Sequence, residues 1–441
     1  MVRFIDPDSL NEYQSERFIR KGDLLWNSTG TGTIGRINIY QYELSEYEYV
    51  VVDSHVTIVR VIGINPNYLL KFLMSPIIQK NLEANASGTT NQIELNTSMV
   101  KNQLIPIAPL TEQKRIVAKI DQLMTLCDKL EAERNERNQK RLSIHTAAIN
   151  RLLSSSNKTD FNTSWGFITK NFNELYSVPE NVAELKKAIL QLAVMGKLTP
   201  QDPNDQPASE LLKEIEAEKK KLIKEGKIKK QKPLLPIKPE EIPYEVPKGW
   251  EWCRIQDLGF VLGGKRIPKG YDYSEVPTPY RYLTVTNMKD GTIIDNNVKF
   301  ISEEVRELIG KYIISKEDIY ITIAGTIGAV GIIPQEYDGM NLTENASRLI
   351  FFRVNKVFLV NLLNSMTVQN QFAILTNKMA QPKLSLRSIL GTLIPIPPLN
   401  EQKRIVEKID QHMELCNSLE QQIKDSTAKQ ITTLNAVLAK M

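Results

Sequence analysis

Ile105-Pro106-Ile107-Ala108-Pro109-Leu110-Thr111-Glu112-Gln113-Lys114-Arg115-Ile116-Val117 returns, 289 residues later, as Ile394-Pro395-Ile396-Pro397-Pro398-Leu399-Asn400-Glu401-Gln402-Lys403-Arg404-Ile405-Val406. The match runs on through Lys119-Ile120-Asp121-Gln122 and Lys408-Ile409-Asp410-Gln411 to Cys127 and Cys416, with 18 of 23 positions identical. A repeat at that distance lies far above the solenoid range and marks duplicated domains. Each copy reads as an extended exit from a globular unit, set by Pro109 or Pro398, followed by a helix. Thr111 can cap the first helix, and Glu112 and Gln113 suit its positive N-terminus.

Outward from the first copy, Ile116, Ile120, Leu123, Cys127 and Leu130 step by four and three, the spacing of a coiled-coil seam. The pattern predicts one helix over 112–153, about 63 Å long at about 1.5 Å per residue. The second copy repeats the seam with Ile405, Ile409, His412, Cys416, Leu419 and Ile423 in a helix over 401–441. The two matching seams are expected to pair. Two further amphipathic helices are predicted, Asn181–Met195, ended by Gly196, and Ser209–Glu225. The basic run 227–232 after the latter reads as a solvated helix end and linker. An α/β unit precedes each long helix, over 1–104 and 247–393. In the first, 23–27 and 49–52 read as strands and 67–74 as a short helix. The expected fold class is α+β: two α/β units joined by long helices in an antiparallel coiled coil. The expected divisions are 1–110, 111–242, 243–398 and 399–441.

The 441 residues carry a net charge of +5, with 41% hydrophobic and 24% charged residues, an ordinary soluble composition that permits a polyanion partner without demanding one. No apolar run approaches the about 18 residues of a membrane span, and the N-terminus lacks a signal-peptide layout. Cys127, Cys253 and Cys416 form no disulfide framework or zinc spacing and fit a reducing cytoplasm. Cys127 and Cys416 fall on apolar helix positions, where buried thiols are common.

Gly30-Thr31-Gly32-Thr33-Ile34-Gly35 fits G-x-G-x-x-G literally. A dinucleotide site needs a helix next, yet Arg36-Ile37-Asn38-Ile39-Tyr40 reads as a strand. Ala324-Gly325-Thr326-Ile327-Gly328 in the second unit lacks the first glycine. Both are expected to be strand–turn–strand elements, with glycines serving the turn and Ser28, Thr29, Thr31, Thr33, Thr322 and Thr326 near it. His55, His145 and His412 have no companions at metal-ligand spacing. No nucleophile elbow is present. The string closest to a methyltransferase tetrapeptide, Asn65-Pro66-Asn67-Tyr68, departs at its third position and opens a helix. Basic, polar and aromatic residues interleave in the second unit: Lys265, Arg266, Lys269 and Tyr271, then Arg281, Asn287 and Lys289, then Arg348, Lys378, Gln381, Lys383 and Arg387. Arg, Asn and Gln suit base edges and Lys suits phosphates.

The doubled Pro-Leu-x-Glu-Gln-x-x-Ile-Val exit resembles that of the specificity subunit of type I restriction–modification systems. Leu185–Leu198 is similar to that family's central conserved segment, followed by Gln201-Asp202-Pro203-Asn204-Asp205. Pro247-x-Gly249-Trp250 resembles the opening of a target-recognition domain. The resemblance implies a DNA-reading adaptor without a catalytic centre or cofactor of its own. Two target-recognition domains would each read half of a bipartite site on double-stranded DNA, held apart by the helices. Two methyltransferase subunits would dock on those helices and use S-adenosylmethionine to methylate adenine. Restriction subunits would add ATP- and Mg-dependent translocation and cleavage. The DNA-contacting residues expected are Ser28, Thr29, Thr31, Thr33 and Arg36, and Lys265, Arg266, Lys269, Tyr271, Arg281, Asn287, Thr326, Arg348 and Lys383. The expected helix-pairing residues are Ile116, Ile120, Leu123, Cys127, Ile405, Ile409, Cys416 and Leu419.

The chain departs from the family's pattern in its first unit. Arg3-Phe4-Ile5 aligns with Arg281-Tyr282-Leu283, so this unit lacks about 35 residues of a recognition domain and any counterpart of 180–240. The expectation is an N-terminally truncated or rearranged subunit, with a silent recombination-donor cassette as the alternative. A fused nuclease–methylase finds no motif, and a bare coiled-coil scaffold leaves the two glycine turns unexplained.

Overall fold

The computed structural model describes residues 6–30, 32–41, 49–85, 95–155, 157–377 and 382–438. It divides into two compact units, residues 1–137 and 138–441. Residues 3–5, aligned with 281–283 in the sequence, lie outside the described residues.

The first unit contains β1 (Leu24–Asn27), β2 (Ile37–Ile39), β3 (Val56–Val59), α1 (Pro66–Leu73), α2 (Pro76–Asn85), α3 (Thr97–Lys101) and the start of α4 (Leu110–Leu153). The strands form an antiparallel sheet, β2-β1-β3, with Leu24 opposite both Ile39 and Val59. Alternation turns Leu24 and Trp26 to one face, where Leu69, Leu70, Leu73 and Ile78 of α1 and α2 bury them. Asn65 accepts from the N–H groups of Asn67 and Tyr68 and Pro66 fills the first turn, so Asn65-Pro66-Asn67-Tyr68 is a helix cap. The strand expected over 49–52 is reduced to one bridge, Val51 to Phe18. The place beside β1 belongs to β3, whose four residues match the four of β1.

In the second unit α4 ends, and α5 (Lys158–Lys170), α6 (Phe172–Leu175), α7 (Pro179–Val194) and α8 (Ala208–Lys224) follow. Then come β4 (Glu251–Arg254), α9 (Ile255–Leu258), β5 (Gly259–Gly263), β6 (Arg281–Leu283), β7 (Met288–Lys289), β8 (Thr292–Ile293), β9 (Lys299–Phe300) and α10 (Glu303–Leu308). β10 (Ile319–Thr322), β11 (Val330–Ile332), β12 (Asn341–Leu342), β13 (Ala346–Phe351), α11 (Lys356–Leu363), α12 (Met366–Thr376), α13 (Leu386–Gly391), β14 (Leu393–Ile396) and α14 (Leu399–Leu438) complete the order. The main sheet is β11-β10-β13-β5, beside a smaller β12-β6-β9 sheet. Ile319, Ile321 and Leu349 pack under Phe358 and Leu362 of α11.

The duplication extends beyond the 23-residue motif. Gln113 accepts from the N–H of Asn65 (2.8 Å) and donates to the carbonyl of Ala108 (2.8 Å). Gln402 accepts from the N–H of Asn355 (2.9 Å) and donates to the carbonyl of Pro397 (3.0 Å). Each buried glutamine thereby ties its long helix to the cap of the helix above it, α1 or α11.

The seam of α14 finds its main partner in α7. The two run antiparallel: Lys186 pairs with Glu420 (3.0 Å), while Ala193 and Val194, further along α7, share a core with Ile405 and Ile409. Ile149 and Leu152 of α4, Ile168 of α5, Ile189 and Leu192 of α7 and Cys416 of α14 form one further core. Leu419 packs against its edge. On the first turns of α4 the same seam has another fate. Ile116 and Ile120 are half-buried, Leu123 is 48% exposed, and Cys127 is exposed. The sequence pattern alone put Cys127 in a core, but apolar spacing states only which face a residue occupies, not whether a neighbour covers it.

Two distant motifs meet at the start of α14. The indole N–H of Trp250 donates to Glu401 (2.9 Å), which also accepts from Gln201 (3.3 Å). Burial pushes the Glu401 carboxyl up, and the bonds from Trp250 and Gln201 oppose that rise. Arg404 pairs with Asp205 (2.5 Å), and hydrogen bonding to Arg404 holds that carboxyl below its usual range. Gly196, which ends α7 at φ +67°, lies against Pro247, and a Cβ there would collide with the proline ring.

Candidate nucleic-acid interface

Each main sheet ends in a glycine turn. Gly32 and Gly35 in the first unit have φ of 77° and 82°; Gly325 and Gly328 in the second have 79° and 82°. These are left-handed values that L side chains resist, so glycine at both positions follows from the turn. A glutamine on the second helix above each sheet clamps the turn. Gln79 donates to the carbonyls of Gly35 (3.2 Å) and Leu73 (2.7 Å), and Gln369 to those of Gly328 (3.0 Å) and Leu363 (2.7 Å). The element after each turn is a strand, β2 or β11, so no helix N-terminus faces the loop and a dinucleotide site is excluded.

In the second unit four other segments converge on this turn. Asn345 offers its carbonyl to the N–H groups of Ile323 and Ala324, and Ile323 offers its own to Leu384. Lys265 donates its N–H to Leu342, and Thr343 to Leu283. Loop 264–273, Thr284, segment 343–345 and segment 382–385 therefore meet at one end of the sheet. Residues 266–273, Tyr282, Thr284, Val285 and 343–345 line a cavity of about 420 Å³ there. The first unit shows the same backbone scheme: Ser28 donates its N–H to His55, and Leu95 donates to Ser28.

The expected contact residues divide at this point. Lys265, Arg266, Lys269, Thr326 and Lys383 are exposed on the converging segments, and Arg387 follows in α13. Arg266 is held by Glu344 (2.7 Å). Burial pushes the Glu344 carboxyl up, but hydrogen bonds from Arg266, its own backbone and Thr343 outweigh this and leave it below the usual range. The Tyr271 hydroxyl donates to Glu304 (2.5 Å). Other residues of the expected set are placed elsewhere. Asn287 is 0% exposed and spends its amide on Thr284 and the carbonyls of Ile294 and Asn296. Arg348 turns to the opposite end of the sheet, where it pairs with buried Asp318 (3.2 Å). Arg281 stacks on Tyr337 with its guanidinium 5.2 Å from the ring centre. Lys289 is exposed at the end of β7. Thr322 is buried and closes the turn through the carbonyl of Thr326.

In the first unit Ser28 is buried and donates to His55 (2.8 Å), while Thr33 closes the turn on the carbonyl of Thr29 (3.1 Å). Arg36 is exposed and reaches the carbonyl of Gly32 (3.1 Å). Thr31, Lys378 and Gln381 lie outside the described residues. Sequence reading missed Glu344, Asn345, Tyr273 and Thr284. The one signal available was the polar break Thr343-Glu344-Asn345 between two strands, which is also what an idle loop looks like. No cluster of three or more potential metal ligands occurs among the described residues.

Residues 4–138 and 247–427 match the family model for the type I restriction modification DNA specificity domain. The chain belongs to that family. It is similar to the type I restriction enzyme EcoAI specificity subunit of Escherichia coli, 36% identical over 83% of this chain and 62% of the relative. It is also similar to the EcoEI specificity subunit of Escherichia coli, 30% identical over 85% of this chain and 64% of the relative. The chain thus spans less than two thirds of these relatives' length. Among solved structures, a chain from work on complex assembly and conformational transition of the type I R-M system superposes with a TM-score of 0.56. It is 17% identical, covers 96% of this chain and 82% of its own length, and supports the fold. The mixed α+β architecture with long helices expected from the repeat is the architecture of this specificity-domain protein. No helix among its described residues is long and apolar enough to cross a membrane.

Proposed function

We propose that this chain is a DNA sequence-reading subunit of a type I restriction–modification complex, without a catalytic centre of its own. In this reading the glycine-turn ends of the two sheets, within 1–110 and 243–398, are the recognition surfaces, while 111–242 and 399–441 carry the helices on which methyltransferase subunits dock. A partner methyltransferase would supply S-adenosylmethionine chemistry on adenine, and a restriction subunit ATP- and Mg-dependent cleavage. The observation that carries the reading is the exposure of Lys265, Arg266, Lys269, Thr326 and Lys383 on segments that converge on one sheet end, where Arg266 and Lys269 line a cavity together with Tyr271, Tyr273, Tyr282 and Asn345. Exposed lysines there suit phosphates, and the guanidinium of Arg266, braced by Glu344, suits the two acceptors of a guanine edge.

The test is DNA affinity of the complex with the cognate methyltransferase subunit as a function of salt. Alanine at Lys265, Lys269 and Lys383 should each reduce the slope of log K against log salt by about 0.9 for every phosphate left without its lysine. Replacing Arg348 should leave the slope unchanged and lower stability. If the co-expressed pair leaves every adenine unmethylated in a single-molecule methylome, the reading fails.

A further inference from the structure

As sequence, the basic run 227–232 reads as a solvated helix end and linker; in the fold it is fastened down. α8 stops at Gly226, whose φ of 70° turns the chain, and the N–H of Lys227 donates back to the carbonyl of Leu222 (3.0 Å). Gln256 of α9 donates to the carbonyl of Lys232 (3.0 Å), and Arg254 to that of Leu235 (3.4 Å). Lys219 of α8 donates to the carbonyl of Gln256. The tethers on the run hold backbone carbonyls and leave its side chains outside. Lys220 and Lys227 are held by Glu216 (2.6 Å) and Glu225 (2.9 Å). Lys224, Lys229, Lys230 and Lys232 are exposed and free of ion pairs among the described residues. The stretch 219–232 holds eight lysines and one glutamate in a chain whose net charge is only +5. It lies at the end of the main sheet away from the glycine turn. α9 leads into β5 at Gly259, opposite Phe351, whereas loop 264–273 leaves β5 after Gly263, opposite Ser347.

We propose that Lys224, Lys229, Lys230 and Lys232 form a second DNA contact, one that grips the phosphates of a duplex without reading its sequence. Lys224, in the last turn of α8, also suits the negative end of that helix, but residues 229–232 lie past it and have no such use. Every cation in 219–232 is a lysine, a point charge that serves phosphates; the forked guanidinium that serves base edges is missing there. Lysine is depleted in protein–protein interfaces, which argues against an acidic protein face as the partner. No aromatic residue stands in 219–232 for the bases of a single strand to stack on. The reach from 227 to 232 is at most about 17 Å, against one phosphate per about 3.4 Å of axis along each DNA strand. The run can therefore follow several phosphates in succession. This contact needs no particular base sequence, so it is independent of the role given to the glycine-turn end.

The test titrates the full-length protein into a fluorescent random-sequence DNA duplex over a series of salt concentrations. Lys229→Gln, Lys230→Gln and Lys232→Gln together should weaken binding at least about tenfold at low salt. They should lower the slope of log K against log salt by about 2.7, at about 0.9 for each phosphate contact. Arginine at the same three positions keeps the charge and should restore the slope of the parent protein. The glutamine set should remove the same amount from a chain already carrying Lys265→Ala, Lys269→Ala and Lys383→Ala, because separate surfaces contribute additively. In the unaltered protein, bound duplex should slow acetylation of Lys229, Lys230 and Lys232, read by mass spectrometry, a measurement that needs no variant. An unchanged slope in the glutamine set overturns the proposal, and it is the outcome expected if an acidic protein is the true occupant. Acetylation at equal rates with and without duplex overturns it as well.

Discussion

The two long helices are reversed images in their exposure. α4 begins exposed, through Leu123, Met124, Leu126 and Leu130, and ends in a core with Ile149 and Leu152. α14 begins in a core with Ile405 and Ile409 and ends exposed, through Ile431, Leu434 and Val437. Fourteen identities in the 18 positions of 110–127 against 399–416 do not make the environments of the two helix starts alike. What decides is whether residues 179–254, present once in the chain, lie on top. A sequence motif therefore specifies a helix and its face, while its burial belongs to whatever else the chain supplies.

The strongest way to break this comparison is to remove the cover's anchor. Trp250→Ala empties a buried site and leaves the Glu401 carboxylate without its indole donor. It should cost about 3–5 kcal/mol of stability in chemical denaturation, as for other buried tryptophans. Glu112→Ala, the matching change on α4, should fall within about 0.5 kcal/mol. Equal effects would mean that the two copies are covered alike.

A second experiment probes the face on which the copies agree. Gln113→Leu and Gln402→Leu each orphan one backbone N–H, that of Asn65 or Asn355, in a buried position. Each should cost about 1–3 kcal/mol, the penalty for an unsatisfied buried group. A large inequality between them would show that the shared entry geometry is not what the bonds enforce.

The smallest effect concerns the ends of the helices. Positions 145 and 434 stand at the same offset of 289, with His145 1% exposed on α4 and Leu434 58% exposed on α14. His145 lies edge-on to Tyr176, 5.2 Å between ring centres, and burial lowers its pKa. A histidine with a depressed folded pKa is neutral in the fold and takes up a proton more readily when unfolded. Stability is therefore full above the unfolded value near 6.5 and lost as pH falls below it. The melting temperature should drop between pH 7 and pH 5 and flatten in His145→Leu. Leu434→His should add no such dependence, because that position is solvated.

Much of this was legible in the chain. The repeat located both helices, Pro109 and Pro398 fixed their approach, and the glycines declared turns rather than nucleotide loops because a strand followed. The polar site was harder to read. Arg348 and Asn287 have the residue types of base readers, yet one neutralises buried Asp318 and the other stitches a tight turn. Conversely Glu344 and Asn345 carried no sequence signal, since their position at the sheet end comes from strand pairings between residues far apart in the chain. Helix propensity, periodicity and turn chemistry are local, and the sequence by itself determined them: the long helices, their apolar faces and the paired glycine turns. Which identical face is buried, which arginine is free and which carboxylate meets Trp250 were decided only by the tertiary structure, because burial and charge pairing depend on partners brought together from across the chain.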